Sequence, residues 1–302
     1  MKENQTTIKE SFTFSGKGLH TGQYVTTTVK PAAANSGIKV VRVDCNPPVV
    51  VPVLASVVGD CARGTVLNMN GVQISTLEHL LAALHGMRID NATIETDGPE
   101  VPILDGSARY WVNSIQKVGI KDLNEERHYI EFKRPVHLDC GNGTIYDVTP
   151  ADDFQVECTI DFGKSVIGRQ TVTMSSYDQF ATEIAPCRTF VFLHELEPLL
   201  KANLIKGGDL ENAIVFVNKP LEPDQKARLA ELFNMDLDHF NVTKGVLNTS
   251  SLHFENEPAR HKLLDFMGDI LLVGAPVKGH FRIECPGHKH NAEFAKVLQE
   301  NK

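Results

Sequence analysis

Residues 258–273 carry an imidazole and two carboxylates at spacings that a helix would align. His261 and Asp265 are four residues apart, so a helix places them on one face, and Asp269 follows one turn later. Imidazole and carboxylate at this spacing can bind one Zn²⁺ together. An ordinary polar stripe on a surface helix would have the same pattern. The strongly apolar remaining faces, and Lys262 beside the histidine, weigh against that simpler interpretation.

A second pair that could act in catalysis is Glu78-His79, at the start of a predicted helix. In metallohydrolases a glutamate beside a histidine ligand can serve as general base. The pair alone is weak evidence, because the chain lacks an HExxH motif and contains another such pair, His194-Glu195, to which we assign no role. Ser75 and Glu78 also have the spacing of a capping box, so helix capping is an equally good explanation for Glu78.

Together these segments predict a catalytic zinc site. His79, His261 and Asp265 would supply three protein ligands and leave one position open, and the bound metal would lower the pKa of a water molecule to about 7. Glu78 could then accept the proton of that water.

The turn Cys285-Pro286-Gly287 precedes two histidines, His288 and His290. His288 could act as general acid or as an electrostatic partner of the leaving group. An exposed loop histidine without function is the alternative, and His290 competes for the same role.

Two glycine-rich segments are interpreted as turns. Residues 15–22, SGKGLHTG, match neither the GxxxxGK[ST] nor the GxGxxG phosphate-binding motif. Residues 206–209, KGGD, form a similar turn in which the backbone could approach a ligand closely.

The order of secondary-structure signals indicates an α+β protein of two units. Residues 90–94 and 211–215 share the pattern [DE]-N-A leading into a predicted strand, each after a helix and a glycine, which suggests an internal repeat. We predict a linker at 121–127 and a domain boundary that divides the chain into 1–124 and 125–302. The predicted strands lie within 1–60 and at 91–96, 129–132, 144–148, 155–162 and 279–284. The predicted helices lie at 76–85, 108–118, 176–183, 194–202, 224–233, 258–273 and from 290 onward.

Composition and charge argue against several classes of function. The 302 residues carry a net charge of −8, which argues against a general nucleic-acid-binding surface. The six cysteines form no CxxC pair, and the N-terminus has no apolar signal-peptide core. No apolar stretch reaches the roughly 20 residues needed to span a bilayer. We therefore expect a cytoplasmic protein that binds a small molecule and no nucleic acid, and that works as a monomer.

Taken together, the segments resemble the UDP-3-O-acyl-N-acetylglucosamine deacetylases, zinc enzymes of bacterial lipid A synthesis. Their joint pattern is far more specific than any one motif. The matching stretches are GKGLHTG (16–22), STLEHLLAALHGMRIDNATIETDGPEVPILDGSA (75–108), CRTF (187–190), IKGGDLENAIVF (205–216), RHKLLDFMGDI (260–270) and PGHKHNAEFAK (286–296).

The resemblance implies a role for each matching residue. It implies zinc ligation by His79, His261 and Asp265, with Fe²⁺ as the alternative metal, and Glu78 as general base. His288 corresponds to a protonated histidine that helps the amine to leave. It further implies that Asp269 steadies His288, that Thr189 stabilises the oxyanion and that Lys262 faces the substrate's phosphates. Asp161 and Phe162 would recognise uracil, Phe190 would line the sugar pocket, and residues 204–208, from Leu204 to Gly208, would form the acyl passage.

The family fold implies two similar domains, each a β-sheet packed with helices, with the active site between them. The implied reaction is hydrolysis of the 2-acetamido group of an acylated UDP-sugar to a free amine and acetate. Cys187, Arg63, Gly64, Lys289 and His290 depart from the family pattern, and they affect the expected pocket detail rather than the metal ligands. The segment 286–295 also resembles family members that continue into a dehydratase-like domain, which we do not expect within these 302 residues.

Three other functions stay open at this point. A zinc amidase could act on another acylated amine, although Asp161-Phe162 favours a UDP ligand. A protein that binds the acylated sugar without catalysis would not require Glu78, Thr189 and His288. A structural zinc protein would favour a closed site of four ligands, and no fourth ligand is evident.

Overall fold

The computed structural model describes residues 3–61, 63–201, 206–233, 236, 242–243, 245–247 and 251–301. The N-terminal half contains, in order, β1 Asn4–Ile8, β2 Phe12–Lys17, β3 Tyr24–Pro31, β4 Ile38–Arg42, β5 Val49–Pro52, β6 Leu67–Met69, β7 Val72–Ile74, α1 Glu78–Gly86, β8 Ala92–Thr96, α2 Arg109–Val118 and β9 Ile120–Glu126.

The rest of the chain continues the numbering. Its elements are β10 Val136–Asp139, β11 Ile145–Thr149, β12 Phe154–Asp161, β13 Arg169–Met174, β14 Phe190–Phe192, α3 Leu193–Lys201, β15 Ile214–Phe216, α4 Pro223–Phe233, β16 Val242–Thr243, β17 Val246–Leu247, α5 Glu257–Asp269, β18 Gly279–Glu284 and α6 His288–Glu300.

Two five-stranded sheets have the same topology. Their strand orders are β2-β3-β8-β4-β5 and β10-β11-β18-β12-β13. In each sheet, the strand that comes last in the chain lies in the middle, between two antiparallel hairpins. It pairs antiparallel with a strand of the first hairpin and parallel with a strand of the second. A helix precedes that inserted strand in both sheets, α1 before β8 and α5 before β18. The predicted α+β class, with two similar sheet-and-helix units, is confirmed.

The internal repeat was placed wrongly in the second half. The counterparts of α1 and β8 are α5 and β18, whereas residues 211–215 lead into β15. That strand belongs to a separate four-stranded sheet of order β14-β15-β17-β16, inserted between β13 and α5. The shared tripeptide therefore reflects similar local strand entry rather than equivalent positions.

Helices α1 and α5 pack against each other at the centre of the molecule. Every residue of α1 is buried, including Glu78 and His79. The two backbones approach closely at Gly268, where an added Cβ would lie 2.1 Å from the carbonyl oxygen of Glu78. At the other end of α1, a Cβ on Gly86 would lie 2.0 Å from the ring of Phe180. Gly268 is therefore required for the packing of α1 against α5, and Gly86 for the packing of α1 against Phe180.

The predicted linker is a strand. Strand β9 pairs antiparallel with β1, and six of its seven side chains are exposed. Its charged composition reflects that exposure, because an edge strand with no buried face carries no apolar alternation. The division of the chain at residue 124 stays a prediction.

The capping box at the start of α1 was wrong. Leu77 occupies the N-cap position without a side-chain hydrogen bond, and the Ser75 hydroxyl donates instead to the carbonyl of Pro99. The carboxylate of Glu78 accepts a hydrogen bond from the backbone amide of Thr65. Glu78 is thus not occupied in capping its own helix.

Other boundaries differ by a few residues. Helix α5 ends at Asp269 and continues as a 3₁₀ turn to Val273, and Gly274, with φ of 87°, terminates it as predicted. Helix α6 begins at His288 rather than at His290. The strand predicted at 129–132 is reduced to a single bridge between Ile130 and Val277.

Among the described residues, no helix is both long enough and apolar enough to cross a membrane.

Gly268→Ala should lower the free energy of unfolding by about 2–3 kcal/mol, because the added methyl group forces α1 and α5 apart. Gly287→Ala is the matched control, since no atom lies within 4 Å of a Cβ at that position and its φ is −156°. The control should change stability by less than about 1 kcal/mol. Urea unfolding of both variants measures the difference, and equal stabilities would show that the close approach is not required.

His85 should make stability depend on pH. Its ring nitrogens lie 2.7 Å from the carbonyl oxygen of Met267 and 2.9 Å from the hydroxyl of Tyr177. Burial lowers the pKa of His85 from 6.5 to about 4. The unfolded chain therefore takes up the proton first, and stability falls by up to about 3 kcal/mol as pH decreases from 6.5 to 4.

Urea unfolding between pH 7 and pH 4 tests this, with His85→Gln retaining a donor and an acceptor but no titration. The variant should show a shallower loss of stability with acidification. The exposed His128→Gln should behave as wild type. Identical slopes for His85→Gln and wild type would contradict the assignment.

Candidate active site

Three metal-binding side chains converge where α1 meets α5. His79 extends from the first turn of α1, and His261 and Asp265 lie one turn apart on α5. Their ligand atoms all lie within 4.8 Å of one another. Asp265 Oδ1 is 3.3 Å from His261 Nε2 and 3.7 Å from His79 Nε2. The structure thus brings together the three residues that the sequence analysis selected as ligands.

Several properties of this cluster fit a divalent metal. Asp265 Oδ1 is buried and accepts no hydrogen bond, which is costly unless a cation is its partner. His261 Nδ1 faces the carbonyl of Cys187 at 3.0 Å, which leaves Nε2 as a lone-pair donor directed at Asp265. Burial, together with the neighbouring His261, lowers the pKa of His79 to about 3, and burial also lowers that of His261. Both imidazoles are therefore neutral, as metal ligation requires.

The charge of Asp265 is retained despite its burial. Burial alone would raise the pKa of this carboxyl, but His261 and Lys262 hold it well below its usual range. The ammonium of Lys262 lies 2.9 Å from Oδ2, on the side away from the unpartnered Oδ1. One oxygen is thus paired with an ammonium, and the other is available to a metal.

Glu78 lies beside the ligands and is suited to proton transfer near neutrality. Its Oε2 accepts a hydrogen bond of 2.9 Å from the amide of Thr65. Burial raises its pKa to about 7, the nearby His288 opposes that increase, and Asp265 adds to it. A carboxyl group with this pKa can both accept and return a proton at neutral pH.

His288 begins α6 and is held by a buried carboxylate. Its Nδ1 lies 2.9 Å from Asp269 Oδ2, which also accepts a hydrogen bond of 2.7 Å from the amide of Asn291. The hydroxyl of Thr65 donates to the other oxygen of Asp269. Burial would lower the pKa of His288, but Asp269, followed by Asp265 and Glu78, raises it to about 9. His288 is therefore a cation at neutral pH.

A cavity of about 930 Å³ opens onto these groups. Its size matches pockets that hold small molecules or cofactors. Of the residues selected from the sequence, those that line it are Glu78, His79, Phe162, Thr189, Phe190, Gly208, His261, Lys262, Asp265 and His288.

Two of the selected residues, Asp161 and Asp269, do not line the cavity. Asp269 lies behind His288, which agrees with its implied role of steadying that ring. The side chain of Asp161 is directed to Arg169, at 3.4 Å, so only Phe162 of the expected uracil pair reaches the cavity. Leu204 lies outside the described residues.

The aromatic wall of the cavity is built by ring contacts. Phe162 and Phe190 meet edge to face at a centroid distance of 5.7 Å. The ammonium of Lys262 lies 5.6 Å from the centroid of the Phe190 ring. This wall combines an apolar surface with one positive charge, which suits a ligand with a ring and an anionic group.

Comparisons with known proteins agree with this site. The family model described as UDP-3-O-acyl N-acetylglycosamine deacetylase matches residues 5–233 and 238–300. The chain belongs to this deacetylase family. The resemblance inferred from the sequence motifs is confirmed.

Two kinds of relative are similar to this chain. The bifunctional enzyme LpxC/FabZ of Bacteroides thetaiotaomicron is 41% identical over 98% of this chain and 64% of the relative. The UDP-3-O-acyl-N-acetylglucosamine deacetylase of Nitratidesulfovibrio vulgaris is 39% identical over 99% of this chain and 88% of the relative. The deacetylase of the same name from Shewanella loihica is 39% identical over 97% and 89%. The chain thus spans 64% of the length of the bifunctional relative.

Sequence reasoning missed several residues that shape this deacetylase-family site. His20 lines the cavity, and both of its ring nitrogens are buried without a hydrogen-bond partner. Its backbone amide donates to the fully buried Glu100, which also accepts hydrogen bonds from Thr21 and Thr76. A Cβ on Gly18 would lie 2.3 Å from Glu100, so this turn must begin with glycine. The GKGLHTG motif marked the segment, but nothing in it identified the distant Glu100 as its anchor.

The predicted turn at 206–209 also proves to have a structural partner. The amide of Gly207 donates to the carbonyl of Leu19 at 3.0 Å, and a Cβ on Gly207 would lie 2.1 Å from the carbonyl oxygen of Gly18. The close backbone approach expected here is therefore made to the 18–22 turn. It places Gly208 at the edge of the cavity.

Asp269→Asn should lower the pKa of His288 by about one pH unit or more, because the closest carboxylate loses its charge. Nitrogen-detected NMR titration of the histidine rings in metal-free protein measures this. Asp161→Asn removes a carboxylate that lies outside the cavity lining and should leave His288 unchanged. An unaltered pKa in Asp269→Asn would show that Asp269 does not hold the ring charged.

Proposed function

We propose that this protein is a zinc-dependent deacetylase. Its proposed substrate is a UDP-3-O-acyl-N-acetylglucosamine, whose 2-acetamido group is hydrolysed to a free amine and acetate in an early step of lipid A synthesis. The observation that carries the proposal is the unpartnered Asp265 Oδ1, buried between two neutral imidazoles at the base of a cavity. Relatives that are 39% identical and named as deacetylases of this substrate support it.

His79, His261 and Asp265 would hold the metal, with Zn²⁺ as the proposed ion and Fe²⁺ as the alternative. Two nitrogens and one carboxylate oxygen form a ligand set used by catalytic zinc sites. When bound, such an ion supplies Lewis-acid polarisation of a carbonyl and a lowered pKa for water. The His261 Nδ1 contact with the Cys187 carbonyl orients that ring for ligation.

Glu78 and His288 divide the proton transfers between them. Glu78 accepts the proton of the attacking water, for which a pKa of about 7 is well matched at neutral pH. His288, held cationic by Asp269, stabilises or protonates the departing amine. Two groups whose environments separate their pKa values in this way can serve as base and acid in one reaction.

Thr189 is the proposed hydroxyl donor to the oxyanion. Its backbone is fixed on both sides, because its amide donates to the Gly106 carbonyl and its carbonyl accepts from the Ile214 amide, each at 2.8 Å. A fixed backbone limits the positions open to its side chain at the cavity wall. A well-placed donor of this kind is worth about 3–4 kcal/mol in the transition state.

The other cavity groups are proposed to bind substrate. The ammonium of Lys262 would face the diphosphate, and the ring of Phe190 would line the sugar pocket. Phe162 would stack on uracil, and Asp161 would join it only after releasing Arg169. Gly208 would border the acyl chain. We further propose that the enzyme is cytoplasmic, which its six free cysteines support. The monomeric state stays a prediction.

The function is tested by release of free amine from UDP-3-O-acyl-N-acetylglucosamine by zinc-loaded protein. Turnover should be lost after dipicolinate treatment and in His261→Ala, and zinc should restore only the dipicolinate-treated wild type. A zinc-loaded protein that leaves this substrate intact would contradict the proposal. Turnover of a different acylated amine would then identify a general zinc amidase, and tight binding without turnover would identify a binding protein.

Glu78→Gln should reduce kcat about 10²–10⁴-fold while zinc content stays at the wild-type value, because the side chain keeps its shape but cannot accept the proton. Glu231→Gln is the matched control, because Glu231 is an exposed glutamate on α4 that does not line the cavity. Steady-state kinetics with metal analysis should show a control activity close to wild type. A rate for Glu78→Gln within about tenfold of wild type would exclude the general-base role.

A further inference from the structure

A second group of metal-binding side chains lies outside the ligand trio. The thiol of Cys140, a ring nitrogen of His290 and a carboxylate oxygen of Glu293 lie within 4.8 Å of one another. Each residue is half-buried, so each is both restrained by its neighbours and accessible from solvent. Thiolate, imidazole and carboxylate are the ligand types that zinc prefers in proteins.

The fold positions these three donors from two elements. His290 and Glu293 are three residues apart at the start of α6 and therefore share one face. Cys140 follows β10 in the hairpin to β11, where its amide donates to the Thr144 carbonyl at 3.0 Å. The hydroxyl of Thr144 donates in turn to the Cys285 carbonyl at 3.1 Å, in the turn that leads into α6. The Thr144 hydroxyl thus links the hairpin to the turn that leads into α6.

The local charge favours a cation. The carboxylates of Glu293 and Asp139 create a negative potential at the Cys140 thiol, which the ammonium of Lys289 opposes. The same negative potential attracts a divalent cation, and a bound cation converts a thiol ligand to thiolate.

We propose that Cys140, His290 and Glu293 form a second zinc site that joins the β10–β11 hairpin to the first turns of α6. The sulfur donor selects zinc over magnesium or calcium, which take oxygen ligands. Because α6 begins at His288, two residues before His290, the metal would restrain the segment that carries His288. The proposal does not depend on the deacetylase function, since it shares no ligand with His79, His261 and Asp265.

Cobalt substitution tests this site directly. Metal-free wild-type protein titrated with Co²⁺ should bind two equivalents, one of which gives a thiolate-to-cobalt charge-transfer band in the near ultraviolet. The ligand trio contains no sulfur and cannot produce that band. Cys140→Ser should bind a single equivalent and lack the band, and Zn²⁺ should displace the cobalt of the wild type and abolish its band.

Two further variants distinguish loss of the second site from loss of another thiol or of the active-site metal. Cys45→Ser, which removes another partly exposed thiol, should keep both equivalents and the band. His261→Ala should lose one equivalent but keep the band, so failure of the proposed active-site metal is separable from failure of the second site. Binding of only one cobalt by wild type without the band, or persistence of the band in Cys140→Ser, would overturn the proposal.

Discussion

The site depends on the close packing of α1 against α5. Each of the two similar sheets supplies one of these helices, and the two helices meet where Gly268 lies against the Glu78 carbonyl. Glu78 and His79 begin α1, and Asp265 precedes Gly268 by about one turn. The interhelical distance therefore determines the distance from His79 to Asp265. Duplication of one sheet-and-helix unit explains how residues far apart in sequence form a single cluster.

Burial of charge is the main energetic constraint on this arrangement. Asp265 and Asp269 are almost fully buried, and each is stabilised by specific partners: Lys262 for Asp265, and His288, Thr65 and Asn291 for Asp269. An uncompensated charge in this environment would cost several kcal/mol. Both carboxylate oxygens of Asp269 accept hydrogen bonds, whereas Oδ1 of Asp265 accepts none. Metal ligation would satisfy this remaining group, so site stability and catalytic capacity have the same origin.

Local patterns were sufficient to predict the elements that carry the site, but not the contacts between them. Helical spacing identified His261 and Asp265, and the strand predicted at residues 279–284 is observed as β18. The roles of Thr65, Glu100 and Asn291 arise from contacts with residues distant in sequence, which no local spacing encodes. For the same reason the capping box failed, because the carboxylate of Glu78 is used by a tertiary contact. The sequence of β9 predicts a linker because this strand pairs with β1 without burying a face. Most of its side chains are exposed, so they show no apolar alternation.

We propose that one metal ion joins α1 to α5 through His79, His261 and Asp265. Anomalous diffraction at the zinc absorption edge, from crystals grown with one equivalent of zinc, locates that ion without reference to activity. We expect a zinc peak in the anomalous map at about 2.0–2.2 Å from a nitrogen of each histidine and from an oxygen of Asp265. A zinc-containing crystal with no peak at these three atoms, or with a peak bound to the two α5 residues without His79, would contradict this assignment.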